Sequence, residues 1–418
     1  MNSVIRKLDF TEIPAFVDIV VNAYPGTMQN TAEFKERYST MLISQQEKVS
    51  SIEFYGIFRE CKLVGGMRIH YFKMNVHSRT IDIGGVGLVA VDLLHKKEKV
   101  AKELIQYFIK HFVQRDVALV ALYPFRPDFY RKMGFGYGTK MNQYHIKPSS
   151  FPASGTKEGL INLDVTHKEL IEDCYNQYAS ETHGMILKTA NEIEGIFKNP
   201  DNKLIGYMNG DKLEGYTVFS FKKMSETNFV HNNMVIKELI YQSSQALLCL
   251  SAFFNSQSDQ IHRIELTTQD DDIEYLVEDP RNGSDRLIPS VYHETNRAGV
   301  GLMYRIINIE KFIENLGAYP FNNETITVGL NIIDSFIKEN SRRVVIKFRE
   351  GKATLSPKEK AEVDLSIEIS DLSSLLMGAV SFKKLFNFGR VIVNHTDQVK
   401  RLDHLFANMQ KPLCITAF

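Results

Sequence analysis

The chain has 418 residues, of which 44% are hydrophobic, enough for about three domains of ordinary size, each with a filled core. Lys plus Arg and Asp plus Glu balance at 50 each, so no overall field is present to hold a nucleic acid or an anionic membrane. Four scattered cysteines (Cys61, Cys174, Cys249 and Cys414) make neither a CxxC pair nor a zinc-type Cys/His spacing, and reduced thiols in a cytoplasmic protein are expected.

The chain begins "MNSVIRKLDF", without the apolar core or cleavage pattern of a leader. No apolar run approaches the ~18 residues of a membrane span, so neither secretion nor insertion is expected. Residues 4–8 predict a strand. Asp9 then caps a helix over 11–23, with Pro14 tolerated in its first turn and "YPG" breaking it. After a polar helical stretch, residues 54–58 and 63–72 alternate β-formers across a tight turn and predict a hairpin, and a third strand follows over 81–91. Val100, Leu104, Ile105, Phe108, Ile109, Phe112 and Val113 share one face of an amphipathic helix. "VALVALYP" is a continuous apolar run, as in a strand buried on both faces.

The same succession recurs. "YGIFRECKLVGGMRIHYFKM" from Tyr55 lies over "IGYMNGDKLEGYTVFSFKKM" from Ile205, matching Gly56 with Gly206, Leu63 with Leu213 and Gly65 with Gly215. A strand, a helix and a strand follow both. Shared turn chemistry alone favours Gly and Lys in such hairpins; the fuller explanation is two copies of one domain, over 1–150 and 151–300. After a turn-rich, charged stretch at 278–290, a third region over 301–418 alternates strands ("TITVGLNIID", "RRVVIKFREGKATLSP", "AEVDLSIEIS") with short helices ("DLSSLLMG", "SFKKLFNFG", "QVKRLDHLFANM"). This end is α+β, after two α/β units.

Three places could carry chemistry. His95, Lys96, Lys97 and Lys99 precede the helix that opens at Val100. Unpaired N–H groups at a helix start attract phosphates, although a solvated basic turn would read the same. In "PFRPDFYRKMGFGYG", Tyr130 falls just past the end of the apolar strand, either as a core tyrosine or as a cleft residue. Finally the chain stops on "KPLCITAF". Chain ends usually fray, whereas an apolar tail is suited to burial and would carry the α-carboxylate of Phe418 to a fixed place.

The strand, basic turn, helix, strand and "FYRKMGF" resemble an N-acetyltransferase domain of the GNAT type, whose pyrophosphate turn runs Gln/Arg-x-x-Gly-x-Gly/Ala. With "HKKEKVA", "GVGLMYRI" and the terminal Phe, the whole chain resembles the enhanced-intracellular-survival (Eis-like) acetyltransferase family: two tandem GNAT-like mixed-sheet domains and a sterol-carrier-protein-like α+β domain. The resemblance implies an acetyl-CoA-dependent N-acetyltransferase acting on a primary amine: a polyamine, an aminoglycoside-like amine or a protein lysine. It puts the pyrophosphate turn on Lys96, Lys97, Lys99, Val100 and Ala101, and the pantetheine-pairing strand on Val89, Ala90 and Val91. The general acid falls on Tyr130 and the general base on the carboxylate of Phe418, with no metal required. It also implies a homo-oligomer, a hexamer.

One departure stands out: Lys99 occupies the place of the turn's first Gly. The second domain offers only "QSSQ" before its helix, which fits a wall without cofactor. A competing expectation is a non-catalytic carrier that holds an apolar ligand in its third region, and another is a scaffold with neither ligand nor turnover.

Overall fold

The computed structural model describes residues 3–288, 291–317, 319–407 and 410–418. Pro289 and Ser290, at the end of the turn-rich stretch, and Asn408 and Met409, the last two residues of the final expected helix, lie outside the described residues. The chain divides into two compact units: residues 1–138, 302–412 and 417–418 form one, residues 139–301 and 413–416 the other.

In the first unit, β1 (Ser3–Lys7), α1 (Ile13–Ala23), α2 (Ala32–Lys48), β2 (Ile52–Arg59), β3 (Lys62–Val76), β4 (Arg79–Val91), α3 (Val100–Val113), β5 (Leu119–Leu122), α4 (Pro127–Arg131) and β6 (Gly136–Tyr137) follow in order. The strands β1 to β4 form an antiparallel meander. At the β2–β3 turn, Glu60 and Cys61 take φ of 49° and 64°, the left-handed pair that a two-residue hairpin needs. β4 then pairs in parallel with β5, from Ile83 opposite Leu119 to Gly85 opposite Ala121. Beyond Gly85 that pairing ends while β4 runs on to Val91, so one edge of β4 is left open in a cleft. The far side of β5 is covered by strand Met303–Ile306, which inserts between β5 and β6.

The same unit holds a five-stranded sheet in the order Lys352–Leu355, Arg342–Arg349, Ile326–Ile333, Val363–Glu368, Val391–Val393. Helix Ile369–Leu376 joins the two sheets: Ser373 Oγ accepts from the Ile306 backbone N–H at 2.9 Å. Beside it, the fully buried Arg305 and Asp334 make an ion pair at 2.6 Å. Asp334 also accepts from the backbone N–H groups of Phe336 and Ile337 and from Asn340. These bonds to the carboxylate offset part of the cost of taking the pair out of water, and they fix the Phe336 loop.

The second unit is another seven-stranded sheet, ordered Asn296–Gly299, Met141–Ile146, Ile261–Thr268, Asn232–Tyr241, Lys212–Lys223, Lys203–Asn209, Leu160–Asn162. Met141–Ile146, which the sequence assigned to the first copy, pairs within this sheet. The repeated hairpin glycines have a shared physical reason. A Cβ on Gly65 would lie 2.8 Å from the Ala90 carbonyl oxygen and 3.0 Å from Val100; on Gly215 it would lie 2.9 Å from the Ile240 oxygen and 3.0 Å from Ala246. In both copies the missing side chain lets the start of a helix settle on the hairpin.

Burial holds His70 well below its ordinary value of 6.5, and burial with Arg115 nearby brings His111 down to about 4. In the unfolded chain both regain the ordinary value, so below 6.5 the unfolded state takes up protons that the folded state refuses. Stability is therefore expected to fall as pH drops from 6.5 toward about 4, which urea midpoints measured across that window would show. Equal midpoints throughout would contradict the burial of these imidazoles.

Candidate active site

β4 carries a bulge in its pairing with β3. Gly66 pairs with Ala90 but Arg68 pairs with Gly87, so Leu88 and Val89 together face the single residue Met67. Leu88 takes up the irregularity with φ of 48°, and a bulge re-aims the backbone where it occurs. The Asp92 N–H bonds back to the Val64 carbonyl at 3.0 Å; by strand alternation the backbone of Ala90 also faces β3, and those of Val89 and Val91 face the cleft. The Val89 carbonyl already accepts from the Tyr24 hydroxyl at 2.9 Å. Val89 and Val91 line the cleft cavity and Ala90 does not.

That cavity has a volume of about 770 Å³ and includes Lys96, Lys97, Lys99, Val100, Ala101 and Lys102 in its wall. All the residues assigned to the phosphate turn are thus in one place. Lys99 is the residue before α3 and takes φ of 64°, and Lys97 takes 66°: the turn keeps a glycine-like backbone without glycine, at the cost of left-handed strain at two lysines. No side chain caps α3, and the first helical bond runs from the Glu103 N–H to the Lys99 carbonyl. The N–H groups of Val100, Ala101 and Lys102 therefore have no intrahelical acceptor. Glu98, within the turn, is engaged by Arg59 at 2.8 Å, and Arg59 also holds Glu103 at 2.9 Å. Among the described residues no ion pair engages Lys96, Lys97 or Lys99.

Tyr130 lies on α4 with its ring buried among the edges of Phe125, Phe129 and Phe135, at 5.3 to 6.0 Å between centroids. Burial, with Tyr24 adding to it, pushes its phenol well above the usual tyrosine range, so it keeps its proton at neutral pH. Among the described residues none is hydrogen-bonded to that hydroxyl. Tyr24 is itself pushed up to about 12 by burial.

The chain end is held along its length. Residues 413–416 belong to the second unit, where the Leu413 N–H donates to the His183 carbonyl at 2.8 Å, the Cys414 N–H to Gln269 at 2.6 Å, and Thr416 meets the Tyr175 hydroxyl at 3.2 Å. Phe418 belongs to the first unit and packs against Phe72, Tyr123 and His70 at 4.9, 5.3 and 5.5 Å. Its carboxyl carbon lies 3.1 Å, and its oxygen 3.4 Å, from where a Cβ on Gly87 would stand. Glycine there leaves room for the terminal carboxylate beside β4, next to the bulge. Arg68 shares that spot: its Nη2 lies 3.3 Å from the same point.

Residues 4–138 match the acetyltransferase (GNAT) domain family, residues 184–306 a second acetyltransferase (GNAT) family, and residues 309–415 the sterol carrier protein domain. The chain is an acyltransferase with two GNAT domains and a sterol carrier protein domain. No curated protein matches the sequence significantly. Solved structures similar over the whole of both chains include a GCN5-related N-acetyltransferase from Anabaena variabilis (19% identity, TM-score 0.81). A probable N-acyltransferase from Enterococcus faecalis (22%, 0.78) and Eis1 from Mycobacterium abscessus (16%, 0.78) are similar over the same extent. At these identities the likeness is one of fold.

The GNAT domains imply acetyl transfer from a coenzyme A thioester in general terms, and the lysine-lined turn of the first fits such a ligand. In the second GNAT domain the corresponding helix, Ser244–Asn255, is capped by Ser243, whose side chain accepts from the Ala246 N–H at 3.2 Å. Its first-turn donors are already served in part, and no lysine precedes them. The contribution of the sterol carrier domain was legible only at its end. Phe336, held by the Arg305–Asp334 pair, also lines the cavity of the first GNAT domain. Tyr24 and Arg68 were missed altogether, the first because it reads as a helix-ending tyrosine, the second because alternation in a hairpin does not tell solvent from a cleft. No described helix is long and apolar enough to cross a membrane.

Proposed function

We propose that this protein is an acetyl-CoA-dependent N-acetyltransferase of primary amines, with Tyr130 as general acid and the Phe418 carboxylate as general base, working in the first GNAT domain. The carrying observation is the convergence of the chain's last carboxyl group on Gly87, two residues from the Val89 edge of the cofactor cavity.

The bound thioester supplies an activated acyl group. Lys96, Lys97 and Lys99, with the open N–H groups of Val100 and Ala101, would hold its diphosphate, and the Val91 backbone is free on its cleft side to pair with the pantetheine arm. The Phe418 carboxylate, directly or through one water, removes a proton from the acceptor ammonium so that the nitrogen can attack. A backbone N–H of β4 beside the bulge polarises the acyl oxygen. Tyr130, kept protonated by its surroundings, donates its hydroxyl proton to the departing sulfur. The second GNAT domain holds no cosubstrate and serves to anchor the tail segment 413–416.

The cavity described among Tyr319, Phe321, Leu375, Leu376, Leu405 and Phe406 does not favour a carrier role: it measures about 10 Å³, room for at most one water. Thiol release from acetyl-CoA with a panel of primary amines tests the proposal. Turnover with at least one amine supports it, and ligand-independent silence across the panel would refute it.

Replacing Lys99 by Gly is expected to raise the Kd for acetyl-CoA by about three- to tenfold at low salt and by less at high salt. Glycine takes the φ of 64° without strain, so the turn keeps its shape while the ammonium is lost. Calorimetric titration at two ionic strengths checks this, and an unchanged Kd would remove Lys99 from the diphosphate site.

A further inference from the structure

We propose that the acceptor amine carries a carboxylate close to its nitrogen, as an α-amino acid does, and that Arg68 recognises it. The inference rests on the acetyl-transfer assignment above and deepens it.

Arg68 sits on β3 opposite Gly87 and is half-buried. Its Nε is buried without a hydrogen-bond partner, and among the described residues it forms no ion pair. The titratable side chains that act on it are the phenols of Tyr38 and Tyr24, which are uncharged at neutral pH. A buried guanidinium N–H without an acceptor is costly, and it is satisfied by an anion that presents two oxygens to the guanidinium fork.

The terminal carboxylate of Phe418 does not neutralise it directly. Both groups approach the point where a Gly87 Cβ would stand, at 3.1 Å for the carboxyl carbon and 3.3 Å for Nη2, yet they are not in ion-pair contact. A fixed negative group and a fixed positive group therefore approach the same point, beside a residue without a side chain. An ammonium and a carboxylate on one carbon match that pair in reverse, placing the amine at the proposed base. Nothing else there favours a polycation. His70, the imidazole beside the Phe418 ring, is kept neutral by burial and by Arg68. Among the described residues no aspartate or glutamate is among the charges that act on Arg68, His70, Tyr24, Tyr38 or Tyr130. The adjoining cavity wall is lysine-rich. A lysine inside a protein, whose α-carboxyl is an amide, would leave Arg68 unmatched.

The test is thiol release from acetyl-CoA by the intact chain with matched acceptors: leucine against isopentylamine and leucinamide, phenylalanine against phenethylamine and phenylalaninamide. The expected result is a preference in kcat/KM on the order of a hundredfold for the carboxylate-bearing member of each set. In Arg68→Met that ratio should collapse toward one through a rise in KM for the amino acids, with the Kd for acetyl-CoA unchanged as the control for folding; Arg68→Lys should restore part of it. Because the readout is a ratio within one protein preparation, partial misfolding cancels. Decarboxylated amines that are as good as or better than the amino acids, or a ratio indifferent to Arg68, would overturn this inference while leaving acetyl transfer intact. Silence with every amine would instead overturn the parent assignment, and this one with it.

Discussion

Tyr130→Phe is expected to lower kcat by about 100- to 1,000-fold, the range in which a positioned general acid contributes, with the Kd for acetyl-CoA nearly unchanged. The substitution is conservative in shape: the aromatic edges from Phe125, Phe129 and Phe135 are kept. Since none of the described residues bonds to the hydroxyl, its removal leaves no protein group unpaired, and thermal stability should hold or rise slightly. Rapid-mix turnover beside calorimetric binding separates the two effects. Equal losses in turnover and in binding would make Tyr130 a packing residue. The alkaline limb of the kcat profile should also lie above the ordinary tyrosine range in the wild type, because burial raises the phenol.

Removing Phe418 should be at least as damaging. The new terminus, Ala417, would carry its carboxylate back by about 3.5 Å, one residue of extended chain, and the ring that docks on Phe72, Tyr123 and His70 would be lost. A misplacement of that size at a general base is expected to cost on the order of a hundredfold or more in kcat. The tail upstream stays held by the bonds at Leu413, Cys414 and Thr416, so the protein should fold with little change in Tm. Activity close to that of the full chain would exclude the terminal carboxylate from the chemistry.

Local patterning carried much of the fold. The hairpins of both copies, the apolar face of α3 and the buried run at Leu119–Leu122 are written in short-range periodicity, and the two copies share glycines because each must admit a helix start onto its hairpin. What stayed hidden is pairing across long sequence separations. Strand Met303–Ile306 is only four residues long, and nothing in it announces a place between β5 and β6. Met141–Ile146 alternates as well for one sheet as for the other, so its partner could not be read from its own residues.

The site divides in the same way. Lys96 to Ala101 and Tyr130 follow strand ends that any reader of the chain can find, and the apolar tail points to a docked last residue, whose ring packs on Phe72, Tyr123 and His70. Leu88, by contrast, takes a left-handed backbone that its side chain disfavours, so the bulge that shapes the cleft leaves no mark in residue type. Lys97 and Lys99 take the same left-handed backbone, Lys99 at the place of the turn's first Gly. Phe336 reaches the cavity only because a buried ion pair fixes its loop, and Arg68 is distinguished from a solvent-facing hairpin residue only by what stands across from it.

The central claim is that the carboxylate at the end of the chain is the proton acceptor, and it can be addressed by changing that group and nothing else. A semisynthetic protein ending in the primary amide of Phe418 keeps the ring, the tail and the hydrogen bonds upstream while removing the charge and most of the basicity. Single-turnover acetyl transfer by this amide form is predicted to be at least a hundredfold slower than by the acid form, with equal affinity for acetyl-CoA. An amide form that transfers acetyl as fast as the native chain would contradict the account.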